Sequence, residues 1–173
     1  HGLIIEQLTG ENLHAEHAAA MYQLYLTTID KKQSYPYLTE EFFSLVFKTM
    51  QDRILFVVAK RDGKVVAGSL NFYKGERLFG RYWGCLEEFS ALHFELCYYQ
   101  TIDFAISRNI KVFEAGAQGV HKIQRGFLPV KILSAHKIYQ LEFQEPIRNF
   151  LVAESEQVEL QIAQLATKSP FKN

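Results

Sequence analysis

Ile54-Leu-Phe-Val-Val-Ala-Lys-Arg61-Asp62-Gly63-Lys-Val65-Val-Ala-Gly-Ser-Leu-Asn-Phe-Tyr73 is the stretch that decides the fold of this chain. Ile54–Arg61 is almost continuously apolar, the pattern of a strand covered on both faces. Asp62-Gly63 is a strong hairpin signal, and Val65–Tyr73 reads as the returning strand. Gly75-Glu76 turns the chain again into Leu78–Trp83. Three sequential antiparallel strands therefore form the centre.

Upstream, Leu3–Leu8 has the character of an edge strand. Asn12 stands as a cap before Ala18, Tyr22, Tyr25 and Ile29, which recur at helical spacing. A tyrosine-rich turn at Tyr35-Pro-Tyr37 follows. Thr39 then caps a second helix, with Glu40 and Glu41 complementing its dipole. Downstream, Phe94–Arg108 has helical periodicity and Lys111–Ala115 is a short strand. That makes a strand–helix–strand crossover, which predicts Leu78–Trp83 and Lys111–Ala115 as parallel neighbours. After the loop Gly116–Pro129, Val130–Tyr139 reads as a further strand. Pro146 falls at the first turn of a last helix, whose stripe is Ile147, Phe150, Leu151, Val158, Ile162 and Leu165. The expected fold class is α/β (α+β): one domain over 1–173, with a mixed, mostly antiparallel sheet flanked by helices.

The composition narrows the function classes. The chain has 173 residues, 48% hydrophobic and 14% aromatic, enough for a substantial core. Lys+Arg and Asp+Glu are both 19, so charge alone does not recommend a nucleic-acid or lipid partner. Cys85 and Cys97 lack zinc-ribbon or redox spacing and read as reduced thiols of a cytoplasmic protein. No apolar run has the length of a membrane span. The start at His1-Gly2 suggests a chain cut from something longer.

The residues with chemistry crowd into one segment. It runs Gly80-Arg-Tyr-Trp-Gly-Cys85, His93-Phe-Glu-Leu-Cys-Tyr-Tyr99, Glu114-Ala-Gly-Ala-Gln-Gly119, His121-Lys122 and Arg125-Gly-Phe127. Ligands of such sheets bind at the carboxyl ends of diverging strands, which places a site on Trp83–Glu95 and Glu114–His121. This text, with Ser134-Ala-His136 and the closing Ser169-Pro-Phe171, resembles the bacterial FemAB-like predicted N-acyltransferases, and the order of elements resembles the Gcn5-related N-acyltransferase fold. The likeness covers nearly the whole chain. Members of that family usually hold two such folds in tandem, and this chain looks like the carboxyl-terminal one. The resemblance implies acyl or aminoacyl transfer to an amine, on a small molecule or a peptidoglycan precursor of the cell envelope, with a twin domain as packing partner.

The resemblance also has a departure. Acetyl-CoA-dependent members open the central helix with a glycine-containing loop whose amides cradle the pyrophosphate. Here that loop reads Glu87-Glu-Phe-Ser-Ala-Leu-His93, with acids and no glycine. The donor is therefore left open between acyl-CoA and aminoacyl-tRNA, with no tightly bound cofactor expected.

Three residues are candidates for catalysis. Glu114, near the end of its strand, is either a general base or an acid paired with Arg125 or Lys122. Glu95, at the start of the central helix, either binds substrate or complements the helix dipole. His121 is a candidate proton shuttle. Candidate substrate-binding residues are Arg81 and Trp83 (expected on one strand face), His93, Gln118, Lys122 and Arg125, with Tyr99 added on the family likeness. Gly116 and Gly119 are turn glycines or part of an anion-binding loop with Lys122 and Arg125. His93, Glu95, Glu114 and His121 are too dispersed to be assigned as a metal set. A non-catalytic recognition half is the competing reading.

Overall fold

The computed structural model describes residues 2–116 and 119–171. The chain groups into two compact units, His1–Gly116 and Ala117–Asn173, which are described one at a time.

The first unit is a five-stranded sheet in the order β1-β2-β3-β4-β5. Its strands are β1 (Ile4–Leu8), β2 (Ile54–Arg61), β3 (Lys64–Lys74), β4 (Arg77–Cys85) and β5 (Val112–Glu114). The first three pairings are antiparallel, and β4 with β5 is parallel. The crossover expected between Leu78–Trp83 and Lys111–Ala115 is present.

The apolar run in β2 divides by alternation. Ile54, Phe56 and Val58 enter the cluster under α1 (Ala15–Lys31) and α2 (Glu40–Thr49), with Met21, Leu24 and Phe43. Leu55, Val57 and Ala59 enter the opposite cluster, under the central helical segment 92–107, with Leu78, Leu96 and Phe104. All six of these β2 residues are completely buried, each of the Ile, Leu, Phe and Val side chains among them contributing roughly 1.5–3 kcal/mol. A run with no polar alternation is thus the sequence of a strand with helices on both sides. Gly84 lets α1 sit directly on β4: a Cβ there would overlap the Leu24 carbonyl, and Thr28 Oγ1 donates to the Trp83 carbonyl at 2.6 Å.

The first helix begins later than Asn12. A short 3-10 turn occupies Gly10–Asn12, and α1 is capped by His14. Its third residue, His17, is buried and accepts the His14 backbone N–H on Nδ1 at 3.0 Å.

The second unit departs from expectation twice. The segment 130–139 is not a strand; Val130, Ile132, Leu133 and Tyr139 are exposed. β propensity places no strand without a neighbouring ladder. The last helix, α5 (Leu141–Ala166), starts before Pro146 and contains it. Gln144 Nε2 donates back to the Ile138 carbonyl at 3.0 Å, and a proline in the second turn removes only one intrahelical bond. No described residue of α5 is buried; Ile147, Ile162 and Leu165 of its stripe are partly covered, while Phe150, Leu151 and Val158 are exposed.

Candidate functional site: a split sheet edge and its cleft

The site begins where β4 changes partners. Pairing with β5 runs Arg77↔Val112, Leu78↔Phe113 and Phe79↔Glu114 and ends there, while β4 continues to Cys85. At the same level the β3–β4 register shifts: Leu70 faces Tyr82 and Asn71 faces Gly80, which leaves Arg81 as the extra residue of a bulge. A bulge bends its strand and re-aims side chains. Tyr82 accordingly packs into the cluster under α1 and α2, and Trp83 into the one under the central helix. The expectation that Arg81 and Trp83 share a face assumed unbroken alternation, and the bulge breaks it. Arg81 is exposed, its guanidinium 5.8 Å from the Phe79 ring.

Beyond the bulge lies a cleft of about 220 Å³. Trp83, Phe89, Leu92 and His93 line it, and the Trp83 and His93 rings meet edge to face at 5.2 Å. Lys31, Cys85, Glu87 and Glu88 complete the lining. The two acids are compensated: Glu88 binds Lys31 at 2.8 Å and Glu87 binds Arg61 at 2.6 Å. The hydrogen bond to Glu88 raises the Lys31 pKa above its ordinary value, and that to Lys31 lowers Glu88. The loop that reads as bare negative charge in sequence is therefore locally neutralised. Ala91 caps the central helix in the left-handed region, φ 64°, a conformation glycine adopts without the steric penalty an alanine bears. Cys85 and Cys97 are not joined in a disulfide.

The central helix is not uniform. Between α3 (Leu92–Phe94) and α4 (Gln100–Ser107), Glu95–Tyr99 is a π-helical turn. Such turns leave carbonyls seeking donors and often mark functional positions. Here the donors come from buried hydroxyls. Ser69 Oγ of β3 donates to the Leu96 carbonyl at 2.8 Å, and Thr101 Oγ1 bonds the Cys97 and Tyr98 carbonyls at 2.8 Å each. Asn71 Nδ2 in turn donates to Ser69 Oγ at 3.2 Å.

The comparisons with known proteins extend this geometry. The sequence profile of the FemAB-like family, described as peptidoglycan biosynthesis/recognition, matches residues 1–173. The chain belongs to the FemAB-like family. Solved structures similar to this FemAB-like chain are acetyltransferases, and its fold is that of the Gcn5-related N-acyltransferases. One is an aminoglycoside acetyltransferase from an uncultured soil metagenomic sample in complex with trehalose: 16% identity, 81% of this chain and 97% of that one, TM-score 0.54. A second is the ribosomal-protein-alanine N-acetyltransferase of Brucella melitensis biovar Abortus 2308: 11% identity, 80% and 99% covered, TM-score 0.51. A third is a predicted acetyltransferase from Clostridium acetobutylicum with acetyl-CoA: 6% identity, 64% and 78% covered, TM-score 0.53. No curated protein matches.

The structure distributes the sequence-derived candidates of this FemAB-like chain unevenly. Trp83 and His93 line the cleft. Glu114 binds Arg77 at 2.9 Å, with both side chains about half exposed. Glu95 accepts from Gln100 Nε2 at 2.9 Å, and Gln100 is held in turn by Gln7 of β1. Tyr99 is half exposed. Gly116, φ 78°, closes the first unit beside the Gly80 carbonyl. His121, Lys122 and Arg125 lie in the second unit, on a 3-10 turn that follows Gly119, φ 103°; Arg125 Nη1 donates to the His121 carbonyl at 2.9 Å. Gln118 lies outside the described residues. Sequence reasoning missed Lys31 in the cleft and Ser69 under the π turn. Their long separation in sequence left no local signal.

A second group also escaped notice. Tyr25, Tyr37, Phe43 and Tyr82 form an aromatic cluster beside the bulge, with Tyr25 and Tyr82 edge to face at 5.6 Å. Burial pushes the Tyr82 phenol well above its ordinary pKa, and the hydrogen bond with Tyr37 adds to this, so it remains a neutral hydroxyl.

Proposed function

We propose that this chain transfers an acyl or aminoacyl group from a carrier to an amine of a peptidoglycan precursor. The observation that carries the reading is the coincidence of the β4 bulge at Arg81 with the end of β4–β5 pairing at Phe79↔Glu114. A sheet that opens where one strand bulges provides a slot into which an extended donor fits beside β4. Backbone N–H groups of β4 along that slot are then positioned to stabilise the oxyanion formed when the amine attacks the acyl carbon. As the amide bond forms, the bond from the acyl carbon to the carrier breaks and the carrier leaves as its protonated thiol (CoA) or ribose hydroxyl (tRNA), while the attacking amine loses a proton. Glu114, at the mouth of the split, is the proposed acceptor, and His121, in the second unit, is a proposed proton carrier. Glu95, His93 and Trp83 hold the substrate side, and Arg125, Lys122 and Gln118 with Gly116 and Gly119 bind an anionic group of donor or acceptor.

Acyl-CoA and aminoacyl-tRNA both remain donors of this reading. The Lys31–Glu88 and Arg61–Glu87 pairs weaken the electrostatic case against a CoA pyrophosphate near the central helix. The wider setting proposed is a cytoplasmic bacterial enzyme in which this fold packs on a twin domain.

The second reading, a recognition half without chemistry, has its own support: the ion pair of Glu114 with Arg77 and the tether of Glu95 to Gln100 occupy both carboxylates. One experiment separates the two. The chain is incubated with acyl-CoA or charged tRNA and a muramyl-peptide acceptor, and product is followed by mass spectrometry. The transfer reading expects product, and a Glu114→Gln rate lower by roughly 10²–10⁴ with the thermal midpoint retained. Acceptor binding without product from either donor favours the recognition half.

A further inference from the structure

Two tyrosines on the loop between α1 and α2 are exposed to an unusual degree: Tyr35 at 91% and Tyr37 at 71%. Scattered exposed aromatics are ordinary, but Tyr37 is also held in place. Its backbone N–H donates to Tyr25 Oη at 3.0 Å, its ring stands edge-on to the buried Tyr25 ring at 6.0 Å and 88°, and its hydroxyl meets Tyr82 Oη at 3.4 Å. Pro36, between the two tyrosines, fixes one further backbone angle. Tyr82 is the residue next to the bulged Arg81, so the aromatic cluster runs from the proposed transfer site through Tyr25 to the exposed ring of Tyr37.

A surface ring that is already ordered binds without the entropic cost of being immobilised. Its two faces are apolar, and its edge carries a hydroxyl. That combination suits a pyranose, which presents C–H groups on one face and hydroxyls around its rim. We infer that Tyr35 and Tyr37 form a stacking platform for the sugar ring of a saccharide-bearing acceptor, next to the β4 bulge. This assignment rests on the transfer reading above for its placement. The phenols themselves are neutral, and the family's association with peptidoglycan supplies a glycan to fit them.

The test titrates the whole chain with the disaccharide of N-acetylglucosamine and N-acetylmuramic acid, and separately with a stem pentapeptide lacking sugar, by saturation-transfer NMR and calorimetry. The disaccharide should bind. Tyr37→Ala should weaken it by about 5–10-fold, and Tyr35→Ala by a smaller factor, while Tyr37→Phe, which keeps the ring, should stay within about twofold. Thermal midpoints serve as the folding control, and the Tyr37→Phe and Tyr35→Ala variants keep the test decisive if Tyr37→Ala unfolds. Absence of disaccharide binding overturns the inference, as does affinity indifferent to Tyr37→Ala in a folded protein. Loss of pentapeptide binding on Tyr37→Ala, with none for the disaccharide, overturns it in favour of a peptide contact. Tyr37-dependent disaccharide binding without product from either donor leaves the platform standing and removes the transfer reading.

Discussion

Gly84→Ala tests how the helical layer is seated on the sheet. Gly84 is buried in β4, and a Cβ there would fall on the backbone carbonyl of Leu24 in α1. A helix backbone has no rotamer through which to yield, so α1 must lift from β4. That movement strains the Thr28–Trp83 hydrogen bond of 2.6 Å. Overpacking of this kind costs about 1–3 kcal/mol, and losing a net hydrogen bond adds about 1 kcal/mol. For a chain of this size each kcal/mol lowers the midpoint by about 2–4 °C, so calorimetry should record a fall of roughly 5–15 °C. Gly68→Ala is the control. Its Cβ would meet the Phe56 ring at 2.7 Å and Leu24 Cδ1 at 3.0 Å, side-chain atoms that can turn aside, and its cost should be about half as large or less. A Gly84→Ala midpoint within about 1 °C of the parent, or a larger fall for Gly68→Ala, would refute the direct seating of α1 on β4.

Two further outcomes concern buried polar groups. Burial holds the His17 pKa below 6.5, opposed by Glu16 and Glu6 and reinforced by His14 and Lys60. The unfolded chain then takes up the proton first as pH falls. Stability is complete above 6.5 and declines through the folded-state value, where protonated Nδ1 can no longer accept the His14 N–H. Urea midpoints between neutral and acid pH should show this slope, and His17→Gln should flatten it; an unchanged slope removes His17 as the cause. Ser69→Ala takes a buried donor from the Leu96 carbonyl and an acceptor from Asn71. It should cost about 1 kcal/mol and speed amide exchange across Glu95–Tyr99. Unaltered exchange there would separate the π turn from its β3 support.

The parts of the fold legible in sequence were those governed by local rules. Ile54–Arg61, Asp62-Gly63 and the crossover helix between two short apolar runs needed only a continuous apolar run, turn chemistry and the handedness of a connection to announce the β2–β3–β4–β5 sheet. Trp83, His93 and the loop acids, which the sequence crowds together, line one cleft, because the carboxyl ends of strands are set by chain order. The segment 130–139 was misread for the same reason that β2 was read correctly: β-branched and aromatic residues favour a strand only where a ladder is offered. Pro146 marked a helix start by statistics, while α5 found enough first-turn bonds to begin at Leu141.

What the sequence determined by itself was which stretches are strand or helix and which faces are apolar, since those depend on neighbours two to four residues away. Tertiary structure alone decided the bulge at Arg81, the π turn, the ion pairing of the cleft loop and the tyrosine cluster. Each depends on a partner far along the chain: Asn71 opposite Gly80, Ser69 under Leu96, Arg61 and Lys31 on Glu87 and Glu88, and Tyr25 beneath Tyr37. Hydrogen bonds and ion pairs act over a few ångströms of space, and no periodicity in the sequence records which distant residue will supply the other half.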